Sequence, residues 1–418
     1  MRVVYSCLFY LLTPFILIRL LWRSINAPAY RCRWSERFAF YHKKYPRHVV
    51  WFHAVSVGEA EALFSLAKQV QRQLPGAQLL ITTTTPTGSA RVKAVMPNAL
   101  HVYLPYDMPC AVSRFMTCFK PKIAVIMETE IWPNLFAYCD KNNIPLYIIN
   151  ARLSEKSAGG YRKIPGLIFP ALACVKLIAA QTQEDAGRFI ALGADPEKVR
   201  ALGNIKFDVE VSGEIIRQGL QLRVDVFGDR FVWLIASTHK DEEALFINLY
   251  KQIKSVIPEL LLVLVPRHPE RFGEVKKLCE QDRLAVVLRS SGEACGQQVD
   301  VYLADTMGEL KMLYAAADTA FVGGSMVPVG GHNVLEAAAV GVPVLFGPYM
   351  ANFKAIAESV LRQEAAIQCQ NSSEIISAVV ALHADPAYRQ LLAEKGRAFV
   401  RQNQGVLTRI LELLRQDL

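Results

Sequence analysis

Short runs of aliphatic, β-branched and aromatic residues alternate with stretches of helical spacing from about residue 48 to 204. They are Val49–His53, Gln78–Thr82, His101–Leu104, Ile123–Met127, Leu146–Ile149 and Leu177–Ala180. Runs this short and this continuously apolar predict strands buried on both faces, hence a parallel sheet with crossover helices. After a polar connection at Asp208–Glu214 the pattern restarts with Phe231–Ala236, Leu260–Val265, Ala285–Leu288, Val299–Leu303, Thr319–Val322 and Val342–Phe346. Two α/β halves of similar size, with no hairpin-rich region between them, predict paired Rossmann-like domains facing across a cleft. A chain of 418 residues is overlong for one doubly wound sheet and suits two domains.

The first residues follow another pattern. Val3 to Ile18 contains no charge, and the run continues through Leu20, Leu21 and Trp22 after Arg19. It is slightly short of the roughly 20 residues of a comfortable membrane span and contains Pro14, so a short span and an interfacial helix both fit. No small-residue cleavage site precedes the basic stretch, which argues against a cleaved signal peptide. Arg19, Arg23, Arg31, Arg33, Arg37, Lys43, Lys44 and Arg47 follow with few balancing acids. Such a collar orients the body of the protein to the cytoplasmic side and attracts anionic lipid head groups. It also accounts for much of the net charge of +9, so that charge is not read as nucleic-acid binding. Nine cysteines without a C-x-x-C pair suggest reduced thiols, and eight dispersed histidines without H-E-x-x-H spacing predict no protein-made metal site.

In open parallel sheets the loops beyond the carboxyl ends of the strands line the ligand crevice. Candidate chemistry lies at several such exits. Glu59 opens a helix after Val49–His53, with Gly58 expected to allow a sharp turn; its bland alternative is an acid favoured by the helix dipole. Glu128 and Glu130 follow Ile123–Met127, and Pro133 suits the first turn of the next helix. Lys206 lies beside the expected hinge, where a solvated linker lysine is the alternative.

In the second half, Gly330, Gly331, His332, Asn333, Val334, Leu335 and Glu336 form a glycine-rich loop opening a helix, an arrangement that presents backbone donors to phosphate. Arg267 after Pro266 offers a planar fork of donors, and Met307, Gly308 and Glu309 follow another strand. Neither half carries G-x-G-x-x-G with a ribose acid in register, and no G-x-x-x-x-G-K-[ST] occurs. Dinucleotide oxidoreductases and P-loop ATPases therefore lose their main support.

Together these segments resemble the Kdo (3-deoxy-D-manno-octulosonic acid) transferases of lipopolysaccharide synthesis. The resemblance runs over nearly the entire chain through APAYRCRW, FHAVSVGE, TTTTPTGSARV, HVYLPYD, METEIWPN, NARLSEKSAGGY, GNIKFD, STHKDEE, VPRHPERF, DTMGELKMLY, FVGGS and GGHNVLEAA. It implies a GT-B glycosyltransferase with an N-terminal membrane-anchor helix at 1–24, an acceptor-binding Rossmann-like domain at 25–208 and a donor-binding one at 209–418. It further implies transfer of Kdo from CMP-Kdo to a glucosamine hydroxyl of lipid IVA, inverting and without a metal or other cofactor. On this resemblance Glu59 is the general base, and Glu128 and Lys206 stabilise the transition state. Pro266, Arg267, Met307, Gly308, Glu309, Asn333, Val334, Leu335 and Glu336 then contact CMP. The expected partners are CMP-Kdo, lipid IVA and the cytoplasmic face of the inner membrane, with no nucleic acid and no protein partner. Competing readings are a UDP-sugar GT-B enzyme or epimerase, against which METEIWPN and VPRHPERF argue, and a catalytically silent membrane scaffold.

Overall fold

The computed structural model describes residues 1–25 and 27–418. The chain forms two compact units, Met1–Lys206 with Gly405–Leu418, and Phe207–Gln404.

The first unit is built on a parallel sheet of seven strands: β1 Val50–His53, β2 Leu79–Thr83, β3 Leu100–Tyr103, β4 Ile123–Met127, β5 Leu146–Ala151, β6 Leu177–Ala180 and β7 Val199–Ala201. Their order is β3-β2-β1-β4-β5-β6-β7. Every residue of β1, β2, β4, β5 and β6 is buried, because helices cover both faces. The direction of strand addition reverses between β1 and β4, which pair with His53 opposite Ile126. Their exit loops therefore splay apart and leave a crevice at the switch point.

The second unit repeats the plan with β8 Phe231–Thr238, β9 Leu260–Pro266, β10 Val286–Leu288, β11 Val301–Leu303, β12 Thr319–Val322, β13 Val344–Phe346 and β14 Ile367–Gln368. The order is β10-β11-β9-β8-β12-β13-β14, again all parallel. Here the reversal falls between β8 and β12, paired with Ala236 opposite Val322. Strands β7 and β14 were not expected from sequence. They are two or three residues long at sheet edges and carry no fully buried position, so no apolar run marks them.

Three expectations change. The second domain was expected to reach residue 418, but Gly405–Leu418 returns to the first unit. The apolar stripe Val406, Leu407, Ile410, Leu411 and Leu414 of its helix joins a core with Val50, Phe52 and Leu63, and Asp417 pairs with Lys176 at 2.6 Å. The helix Arg2–Asn26, expected as a separate anchor, lays one face on the first unit. Ser6, Leu20 and Ser24 are buried, Phe9 packs on the core, and Ser6 Oγ hydrogen-bonds Asn134 Oδ1 at 3.2 Å. Val4, Leu8, Leu11, Phe15, Ile18 and Trp22 of that helix are exposed.

Third, the basic collar is partly interior. Arg37 is buried, donates to Thr84 O at 2.9 Å and stacks over the Tyr103 ring. Arg33 pairs with Glu36 at 2.7 Å and donates to Ser89 Oγ at 2.8 Å. These two guanidinium groups tie the segment after the first helix to the sheet, whereas Arg19, Arg23, Arg31, Lys43, Lys44 and Arg47 stay exposed.

The returning helix has a checkable energetic role. Ile410→Ala empties a fully buried position in the first unit, so chemical denaturation should register a loss of about 2–5 kcal/mol. A change within experimental error would show that this helix is not integral to the core.

Candidate active site

The loop after β1 ends at Ser56, whose extended backbone (φ −114°, ψ 172°) makes the turn into the helix Val57–Gln73. Gly58, expected at a sharp turn, lies inside the first helical turn instead; a Cβ there would meet only Ser56 Oγ, at 3.9 Å. Ser56 Oγ accepts from Glu59 N at 3.3 Å, while the Glu59 carboxylate accepts from Val55 N at 2.8 Å and from the Ser56 hydroxyl at 2.9 Å. This is a variant of the capping box in which the carboxylate takes the N–H of Val55, one residue before the N-cap Ser56. Glu59 thus performs the helix-start duty and also presents a carboxyl group at the switch point.

Across the crevice, Glu128 leaves β4 in the left-handed region (φ +57°), with its N–H held by Ile149 O at 3.0 Å. A non-glycine residue in this conformation costs of order 1 kcal/mol and persists only where its surroundings enforce it. Burial raises the Glu128 carboxyl above its ordinary range, opposed by the charges of Lys206 and Arg152. Burial also raises Glu59, and the charge of Glu128 adds to the effect. Glu130 is pushed from 4.5 to about 7 by burial first and then by Glu59. Lys206 moves the opposite way, lowered by burial and pulled back up by Glu128. Three carboxyl groups and one ammonium therefore perturb one another within a single unit.

What places Lys206 was not visible from the linear order. Asn150, the penultimate residue of β5, has φ +50°, and its Oδ1 accepts from Ile205 N at 3.0 Å. Gln181 Nε2 donates to Asn150 O and Asn204 Nδ2 donates to Gln181 Oε1, both at 2.9 Å. Asn204 Oδ1 then accepts from Lys206 N at 3.0 Å. Residues from three separate segments of the chain hold the short turn that carries the lysine.

In the second unit, the exits of β8, β9, β11 and β12 lie side by side. Arg267 N donates to Thr238 O at 3.1 Å, which ties the β9 exit to that of β8, and the Arg267 side chain is exposed. Pro266, the last residue of β9, is buried. Gly308 is left-handed (φ +87°) and Met307 is exposed. The Glu309 carboxylate is held by Arg289 at 2.9 and 3.2 Å, leaving its loop rather than a free acid to face a ligand. Asn333 Oδ1 accepts from Leu335 N at 3.1 Å at the start of the helix Leu335–Val340. Val334 and Leu335 are fully buried, so they offer a ligand backbone only. Glu336 is raised by burial, with Lys311 and Arg267 acting against the shift.

Sequence reasoning did not single out Glu242. It is fully buried, and its carboxylate accepts four backbone N–H groups: His239 at 3.0 Å, Gly324 at 2.7 Å, Ser325 at 3.1 Å and Met326 at 3.0 Å. Such a carboxylate locks the β8 and β12 exits together. Beside it, Glu243 pairs with Arg271 at 2.6 Å. No group of three or more metal-ligating side chains occurs among the described residues.

Paired Rossmann-like domains with ligand loops at both switch points define the GT-B class. The fold is shared with UDP-GlcNAc 2-epimerase from Neisseria meningitidis, whose structure bound to UDP-GlcNAc is 13% identical (TM-score 0.55) and covers 88% of this chain and 100% of that one. The family model for 3-deoxy-D-manno-octulosonic-acid transferase (kdotransferase) matches residues 32–209. The 3-deoxy-D-manno-octulosonic acid transferase of Haemophilus influenzae is 38% identical over 418 residues, 99% of this chain and 98% of the relative. That of Bordetella pertussis is 36% identical over 376 residues, 87% and 86% of the two chains. The chain belongs to the 3-deoxy-D-manno-octulosonic acid transferases, and it is a Kdo glycosyltransferase.

The raised Glu130 carboxyl has a stability consequence. A group whose pKa is raised on folding contributes fully below its unfolded value, near 4.5, and loses that contribution as pH rises through about 7. Glu130→Gln should melt a few degrees above wild type at pH 8, with the gap closing towards pH 4.5. Equal melting temperatures across that range would mean the carboxyl is not strained by its neighbours.

Proposed function

We propose that the protein transfers Kdo from CMP-Kdo to a glucosamine hydroxyl of lipid IVA, with inversion and without a metal ion, at the cytoplasmic face of the inner membrane. The observation that carries this reading is the trio Glu59, Glu128 and Glu130 with Lys206 at the first switch point, in a chain of this family. Inversion in one displacement needs a base to take the acceptor proton as the new bond forms, and a partly desolvated carboxylate suits that task. Glu59 is the base. Its carboxyl is raised by burial towards the working pH, and its Val55 and Ser56 contacts fix its direction.

Positive charge builds at the anomeric carbon as CMP departs. Glu128 answers that charge, and Lys206 favours its ionised form against the effect of burial. In the second unit, Arg267 and the backbone groups of Met307–Glu309 and Asn333–Glu336 hold the nucleotide. The charge neutralisation that a metal ion supplies elsewhere would come here from Arg267 and these fixed donors.

The acceptor is a lipid, and the first helix suits an enzyme held at its surface. Its packed face joins it to the unit that carries Glu59, while its exposed apolar face and the exposed basic residues offer contacts to acyl chains and anionic head groups.

Glu59→Gln separates the two duties of this side chain, because glutamine also completes a capping box. With CMP-Kdo and lipid IVA, transfer by this variant should fall by about 10²–10⁴-fold while melting temperature and nucleotide affinity stay near wild type. Near-normal turnover would remove Glu59 from the chemistry. Arg267→Ala should raise the donor KM and also slow transfer; an unchanged donor affinity would contradict its phosphate role.

A further inference from the structure

The second unit holds a histidine pair to which no role has been given. His239 follows β8 and His332 follows β12, the neighbouring strands at the switch point. Their rings stack with centroids 5.1 Å apart and an 8° interplanar angle, and their Nε2 atoms lie 2.8 Å apart. Two imidazole nitrogens at that separation share a single proton, one ring donating and the other accepting.

The surroundings hold the pair in place. Gly324 is left-handed (φ +64°), and a Cβ there would lie 3.0 Å from His332 Cδ2 and 3.3 Å from His239 Cδ2. The Glu242 carboxylate binds the backbone N–H of both His239 and Gly324, fixing the two loops that present the rings. The His268 ring stands edge-on to His239 at 5.4 Å, and its neighbour Arg267 is tied to the β8 exit through Thr238. Loops after β8, β9 and β12 thus meet at these imidazoles.

The charges facing the pair are mostly positive. Burial lowers His239, and His268, Arg267 and Arg271 lower it further against the opposing charge of Glu243. Burial lowers His332 to about 4, with His239, Arg267 and His268 adding to the effect. Burial and these charges favour the neutral form of both rings, and an arriving anion acts against that preference.

We infer that His239 and His332 form the phosphate contact of the nucleotide donor: on binding, the pair takes up one proton from solvent, gives up its mutual hydrogen bond and donates to phosphate oxygens. This inference rests on the proposed nucleotide-donor reading. When the bond between the anomeric carbon and the phosphate oxygen breaks, its electron pair stays on that oxygen, and the imidazolium N–H faces the added charge. The acceptor oxygen forms the new bond to that carbon, and its proton passes to Glu59.

Calorimetric titration of the full-length protein at pH 7.5, in two buffers of different ionisation enthalpy, tests this with CMP, UMP and cytidine. Wild type should take up about one proton with CMP and none with cytidine. His239→Asn and His332→Asn should bind CMP about ten-fold more weakly and without proton uptake, yet bind cytidine as wild type does, which also shows that they are folded. Variants that keep both CMP affinity and proton uptake would overturn the inference. Binding of UMP but not CMP, with the same proton uptake, would overturn the CMP donor while supporting the histidine contact. Binding of neither nucleotide would overturn both.

Discussion

Carboxyl groups crowded into a partly buried space at the ends of parallel strands are the constraint on which the first unit depends. Burial penalises the charged form of each, and neighbouring negative charge adds to the penalty on Glu59 and Glu130. The unit relieves this in different ways: Glu59 accepts Val55 N–H and the Ser56 hydroxyl, Glu128 faces the positive charges of Lys206 and Arg152, and Glu130 moves up to about 7. The left-handed backbone of Glu128 and Asn150 adds local strain at neighbouring exits. A unit selected for stability alone would place apolar or neutral residues here, and strain of this kind is concentrated at functional sites.

The second unit solves an opposite problem with the same architecture. Its switch point gathers cations and backbone donors, and the buried carboxylate of Glu242 is spent inward on four N–H groups rather than outward on a ligand. A fully buried carboxylate is tolerated because those donors replace its hydration. Its position holds two exit loops in register, so the surface they present is fixed before any ligand arrives. Acids gather at the switch point of one unit, and positive charge with backbone donors at that of the other.

Much of the fold was legible because buried parallel strands write themselves as short, continuously apolar runs. Each of the twelve expected runs overlaps a strand. Strands β7 and β14 escaped because edge strands of two or three residues need no such run, and the return of Val406–Leu414 escaped because an amphipathic stripe does not say which core it enters. At the site, position relative to strand ends marked Glu59, Glu128 and the donor loops. It did not reveal that Glu59 closes a capping box, that Gly58 is an ordinary helical residue, or that Arg33 and Arg37 face inward. Asn150, Gln181, Asn204 and Glu242 act through contacts across 23 to 84 residues of chain, which local pattern cannot show.

In the proposed mechanism the Glu59 carboxyl is the base and its neighbours tune it. The pH dependence of kcat/KM for Kdo transfer reads this directly. The acid limb should lie above the ordinary glutamate value of 4.5, and in the residual activity of Glu128→Gln it should move to lower pH as one neighbouring negative charge disappears. An acid limb that stays in place when Glu128 is neutralised would contradict the claim.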